Sequence, residues 1–142
     1  MQQEGMADED ALQSWTIRHF DRYLADRGRR LVGWDEILEG GLAPGATVMS
    51  WRGVAGGLAA SRAGHDVVMS PHTSTWTTST TRAPTKPARL GVSSLENCYG
   101  SDPTIPEMTA DEASHVLGVQ ANVWSEGFDT PAAFLTRREG SM

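Results

Sequence analysis

Cysteine is nearly absent from this chain: Cys98 stands alone among 142 residues. One thiol cannot close an internal disulfide, and no Cys/His spacing offers a metal site, so neither a disulfide scaffold nor a metal cofactor is expected. Basic residues are also in short supply, 12 Lys and Arg against 18 Asp and Glu, for a net charge of −6. They are scattered apart from Arg29-Arg30 and Arg137-Arg138, and without a basic stripe nothing tracks a phosphate backbone. Nucleic acid is therefore not an expected partner. No apolar run approaches the roughly 20 residues that span a bilayer. The opening Met1-Gln2-Gln3-Glu4-Gly5 lacks a basic start and an apolar segment, so neither a membrane anchor nor an export signal is expected. Compartment and oligomeric state stay open on these grounds.

What is present describes a globular chain of one-domain size, 39% apolar and 21% charged. From Asp8 to Arg27 the residues Leu12, Trp15, Phe20, Tyr23 and Leu24 recur near helical spacing, with Asp8 or Asp10 available as a cap and Gly28 as a stop. This pattern predicts an amphipathic helix whose apolar stripe, Trp15 included, packs into the core. Arg30-Leu31-Val32-Gly33-Trp34 is too short and too apolar for a second helix and reads as a buried strand. Gly40-Gly41 and Pro44-Gly45 break the chain before a second such run, Ala46 to Trp51. Gly53 to Ala63 is alanine-rich and reads as a crossover helix, weakened by Gly56-Gly57 at about 1 kcal/mol per glycine. His65 to Pro71 is a third strand, and Thr109-Ala110-Asp111-Glu112 has the capping-box pattern that opens a helical turn before a fourth, Val116 to Trp124.

Strands that alternate with helices and read as continuous apolar runs predict an α/β fold with a parallel sheet covered on both faces. In the barrel form of this architecture functional residues sit at strand C-terminal ends, where Trp34, Trp51, Pro71 and Trp124-Ser125-Glu126 fall. About four strands do not close an eight-stranded barrel. The expected fold is half of a (β/α)8 TIM barrel, incomplete within residues 1–142 and part of something larger.

Four ordered motifs carry a family resemblance. They are Arg29 to Pro44 around Gly33-Trp34-Asp35-Glu36, Val48-Met49-Ser50-Trp51-Arg52-Gly53, Gly64 to Pro71, and Leu117 to Glu126. Together they resemble the C-terminal half of the catalytic barrel of glycoside hydrolase family 20, the β-N-acetylhexosaminidases. The resemblance covers about Asp10 to Pro131 and is interrupted at 72–90. It implies removal of terminal β-linked N-acetylglucosamine or N-acetylgalactosamine by a substrate-assisted route, in which the sugar's own acetamido oxygen attacks the anomeric carbon. The implied partner is an N-acetylhexosamine-containing glycan, and no cofactor is implied. By the same resemblance Trp34, Trp51 and Trp124 line the sugar pocket and Glu126 accepts hydrogen bonds from sugar hydroxyls. Pyranose C–H faces pack well on aromatic rings, and a carboxylate binds hydroxyls more strongly than a neutral acceptor does.

The family's catalytic Asp-Glu pair lies upstream of the helix that opens this chain, so no catalytic residue is assigned here. Asp35-Glu36 has the right letters but aligns with a later element, and its expected role is to hydrogen-bond neighbouring loops at the barrel mouth. The chain alone is therefore expected to be inactive. An alternative of another class is a non-catalytic, carbohydrate-binding half-barrel, or a partner of a separately encoded N-terminal half.

Between Pro71 and Leu90 the family's Tyr-Leu-Asp-Tyr segment is missing, and Trp76 is not counted as a sugar-binding residue. The codons CTG GAC TAC CAG TAC GAC ACG CGC encode Leu-Asp-Tyr-Gln-Tyr-Asp-Thr-Arg. Read one base later they give Trp-Thr-Thr-Ser-Thr-Thr-Arg, the string from Trp76 to Arg82. The hypothesis is a local frameshift, restored before Ser94-Leu95-Glu96-Asn97, against a genuinely diverged and poorly ordered Thr/Ser loop. Sequencing the locus decides: with no Leu-Asp-Tyr frame in the gene, the frameshift is wrong.

Overall fold

The computed structural model of the protein describes residues 8–71, 99–120 and 122. Helix α1 (Glu9–Ala25) begins where Asp8 accepts a hydrogen bond from the Ala11 amide at 2.8 Å, with Glu9 and Asp10 in the positively polarised first turn. It ends at Gly28, whose φ of 65° lets the Arg29 amide reach back to the Leu24 carbonyl at 2.9 Å. Strand β1 (Val32–Trp34) runs into a single 3-10 turn, Asp35–Leu38. Strand β2 (Thr47–Ser50), helix α2 (Ala55–Arg62), strand β3 (Val67–Met69), helix α3 (Ala110–Ser114) and strand β4 (Val116–Val119) follow. The expected cap of α3 is complete: the Thr109 hydroxyl accepts from the Glu112 amide and the Glu112 carboxylate from the Thr109 amide.

All neighbouring strands pair in parallel, in the order β1-β2-β3-β4. Strand order that follows chain order, with each strand parallel to the last, is the arrangement of half of a (β/α)8 barrel. The register places Gly33, Val48 and Val67 on one face, with Ser50 and Met69 two residues farther along it, and Trp34, Met49 and Val68 on the other.

The core lies on the first of these faces. Val48, Val67 and Met69 are buried there together with Ile37, Ala43, Ala46 and Ala60. Close approach of α2 explains the glycine pair that the sequence argument counted only as a weakness. A Cβ at Gly57 would stand 2.5 Å from Met69 Sδ, and one at Gly56 2.9 Å from the Asp35 side chain. Helix propensity is given up so that α2 can lie on β2 and β3. On the opposite face burial is uneven among the described residues: Val32 is 54% exposed, Trp34, Met49 and Val68 are half-buried, and Thr47 is buried.

Helix α1 departs most from expectation. Its apolar stripe does not face the core: Leu12, Trp15, Phe20 and Tyr23 are exposed, Trp15 by 45% and stacked on His19. The inward side carries Ser14 and Asp21, both buried, and Ile17 packed against the core. Ser14 donates to the Gly41 carbonyl at 3.0 Å and Gln13 Nε2 to the Glu36 carbonyl at 2.6 Å. The helix is fastened by polar bonds to the β1–β2 connection, which select its inward face over its more apolar one.

Candidate functional site at the strand C-terminal ends

Two of the four expected sugar-binding residues are described. Trp34 is the last residue of β1, and Trp51 follows the last residue of the adjacent β2. Trp34 pairs in register with Met49, so the two tryptophans rise from the same end of neighbouring strands. Trp124 and Glu126 lie outside the described residues, as do Trp76, the stretch from 72 to 90 and Cys98.

Three carboxylates follow Trp34, two on the 3-10 turn and one, Glu39, just after it. Asp35 is 1% exposed, and its Oδ2 accepts from the backbone amides of Trp51 and Arg52, each at 3.2 Å. Its Oδ1 accepts from Arg52 Nε at 2.9 Å. Glu36 accepts the Trp51 indole N–H with both oxygens, at 3.0 and 3.1 Å. Glu39 accepts from Arg52 Nη1 at 2.9 Å. With Glu39 first and Asp35 next, these carboxylates hold the Arg52 guanidinium above its ordinary pKa. The 3-10 turn makes this possible because its tight winding, at three residues per turn, presents Asp35 and Glu36 toward the end of β2 immediately after β1 stops.

This arrangement orients the segment after β2. A buried carboxylate bonded to two amides and a guanidinium has its lone pairs occupied and its charge matched. Asp35-Glu36 thus bonds the neighbouring loop, as expected from its place in the motif. Arg52 and Glu39 had no assigned role in the sequence. The signal was there in retrospect: Trp-Asp-Glu after one strand and Trp-Arg after the next are brought side by side wherever consecutive strands pair in parallel.

The other strand ends are tied by short polar side chains. Ser50 Oγ donates to the Gly53 carbonyl at 2.6 Å and accepts the Gly57 amide at 2.9 Å, which anchors the start of α2. Asn122 Nδ2 donates to Ser70 Oγ at 2.8 Å and so ties the end of β3 to the segment after β4. Among the described residues no group of three or more His, Cys, Asp or Glu side chains could hold a metal ion, and no helix is long and apolar enough to cross a membrane.

The model of the glycosyl hydrolase family 20 catalytic domain matches residues 1–137. The chain belongs to this family. A β-hexosaminidase of Porphyromonas gingivalis is 46% identical over 129 residues, 89% of this chain and 17% of that protein. A β-hexosaminidase of Vibrio furnissii is 31% identical over 131 residues, again 89% of this chain and 21% of the relative. The chain thus spans about a fifth of the length of the curated relatives it matches. Among solved structures, the family 20 exo-β-N-acetylglucosaminidase of Vibrio harveyi superposes with a TM-score of 0.77 at 28% identity, covering 94% of this chain and 22% of that one. The four parallel strands are accordingly an incomplete portion of the family's TIM barrel.

Proposed function

We propose that this chain forms part of the sugar-binding wall of a β-N-acetylhexosaminidase, acting on terminal β-linked N-acetylglucosamine or N-acetylgalactosamine of a glycan. Trp34, Trp51, Trp124 and Glu126 are the residues proposed to hold the sugar, within a catalytic-domain portion that runs from about residue 10 to 131 and is interrupted at 72–90. The observation that carries this reading is the placement of Trp34 and Trp51 at the C-terminal ends of adjacent parallel strands, with Asp35, Glu36 and Arg52 fixing the segment between them. In barrels of this class the catalytic end is the C-terminal end of the strands. The Vibrio harveyi enzyme has been solved with N-acetylglucosamine bound, which supports the choice of sugar.

The family's substrate-assisted chemistry asks two things of the protein: a general acid at the leaving oxygen and a wall that holds the pyranose with its acetamido group folded under the ring. The residues of this chain serve the second demand. Aromatic faces exclude water from the apolar side of the sugar, and a carboxylate at its edge takes the hydroxyls. The chain alone is proposed to bind without hydrolysing.

Titration of the chain with N-acetylglucosamine, followed by tryptophan fluorescence, tests the wall, and incubation with a fluorogenic β-N-acetylglucosaminide tests the chemistry. Saturable binding, weakened by Trp34→Ala and by Trp51→Ala, is expected, with no aglycone released. Failure to bind removes the wall; turnover by the chain alone removes the claim of inactivity.

A further inference from the structure

Trp51 is held at its backbone amide and at its indole N–H, and the two contacts come from consecutive residues. Asp35 accepts the Trp51 backbone amide at 3.2 Å, and Glu36 accepts the indole N–H with both carboxylate oxygens, at 3.0 and 3.1 Å. A tryptophan has two side-chain torsions. Fixing its backbone at one end and Nε1 at the other leaves neither of them free. We propose that Glu36 is a positioning residue that sets the plane of the Trp51 ring for the sugar, an inference that rests on the assignment of Trp51 to the sugar-binding wall.

Several features separate this contact from an incidental surface hydrogen bond. Glu36 stands on a turn whose backbone is itself held, because Gln13 Nε2 donates to the Glu36 carbonyl from α1 at 2.6 Å. Its neighbour Asp35 is buried and holds the start of the β2–α2 loop through Arg52, so donor and acceptor belong to segments already fixed to each other. Both carboxylate oxygens of Glu36 are directed to one N–H, an arrangement a neutral amide cannot copy because it offers one oxygen only. Stacking of a pyranose depends on the orientation of the ring face, and an indole that has to be ordered on binding loses affinity through rotamer entropy. That loss corresponds to about a 2- to 10-fold weaker dissociation constant.

The test uses the full chain, with Glu36→Ala, Glu36→Gln and a distant control, Asp66→Asn. Two readouts are taken on each: the Trp51 indole N–H resonance, assigned with Trp51→Phe, and the dissociation constant for N-acetylglucosamine. Expected are a marked upfield move of the indole resonance in Glu36→Ala and a smaller one in Glu36→Gln. Affinity should fall by about 2- to 10-fold in Glu36→Ala, recover in part in Glu36→Gln and hold in Asp66→Asn. An indole resonance that stays put in Glu36→Ala overturns the positioning role whether or not sugar binds. A resonance that moves while affinity is unchanged overturns its bearing on the sugar. If the wild-type chain binds no N-acetylglucosamine while the resonance moves as expected, the grip on the indole stands and the sugar-wall assignment fails. Should Glu36→Ala not fold, the Glu36→Gln resonance decides, since an unmoved signal there rules out the two-oxygen bond.

Discussion

The two ends of the sheet use the same chemistry, carboxylates paired with cations, to different effect. At the C-terminal ends of the strands Asp35 is 2% exposed in its side chain and divides its bonds between two backbone amides and Arg52. At the N-terminal ends Arg30 reaches Asp66 at 2.9 Å and Arg62 reaches Glu112 at 3.1 Å, with the arginines 63% and 54% exposed. Water reaches both pairs of the second kind and, at the first end, the Arg52–Glu39 pair, whose side chains are each 44% exposed, but it is kept from Asp35 and its amide bonds. Backbone acceptors and donors cannot swing away, so Asp35 fixes a loop geometry, whereas the exposed pairs bias where long side chains spend their time. The end proposed to meet the sugar is thus the one that buries a carboxylate against backbone amides.

Breaking the comparison at its strong end should have the largest effect. Asp35→Ala leaves the Trp51 and Arg52 amides without their acceptor and takes from Arg52 one of its two carboxylates, and it is expected to destabilise the chain by about 3 kcal/mol in urea denaturation. Gly57→Ala, which belongs to neither end, is expected to cost about 2 kcal/mol, because its methyl must displace Met69 Sδ from a packed position. If helix propensity alone governed this position, the variant would instead be the more stable one.

At the weak end Asp66→Asn should change stability by less than about 1 kcal/mol at neutral pH, since its partner Arg30 is largely in water. Arg30 first, and then His115, hold the Asp66 carboxyl below the ordinary carboxylate range. A lowered folded-state pKa stabilises the fold above the unfolded value, and that contribution is lost as pH falls through the folded one. Urea midpoints of wild type and Asp66→Asn should therefore converge in acid; a gap that widens there contradicts the pairing. Smallest of all, Trp15→Ser is expected to stay within about 0.5 kcal/mol, where a core tryptophan would lose several.

Some features were legible because local chemistry decides them. The capping box at Thr109 and Glu112 closes within four residues, and the three apolar runs ending at Trp34, Trp51 and Pro71 formed strands in the expected order, the first shorter at its start and the other two at both ends. Trp34 and Trp51 stand at strand ends as expected. The roles of Glu36, Glu39 and Arg52 were not legible, because they depend on which strand lies beside which and on the 3-10 turn that aims the carboxylates.

Helix α1 draws the line between the two kinds of information. Periodicity in the sequence determined by itself that Leu12, Trp15 and Tyr23 share one face and that Ser14, Ile17 and Asp21 share another, since 3.6 residues per turn fixes angles along a helix. Which face turns toward the sheet was decided only in the tertiary structure. Polar anchors at Gly41 and Glu36 hold the second face inward, and the helix's own sequence contains neither of those partners. The same holds at the site: the chain specified a tryptophan at the end of β1 and another just after β2, and the parallel pairing of the two strands gave Trp51 the carboxylate that holds its ring.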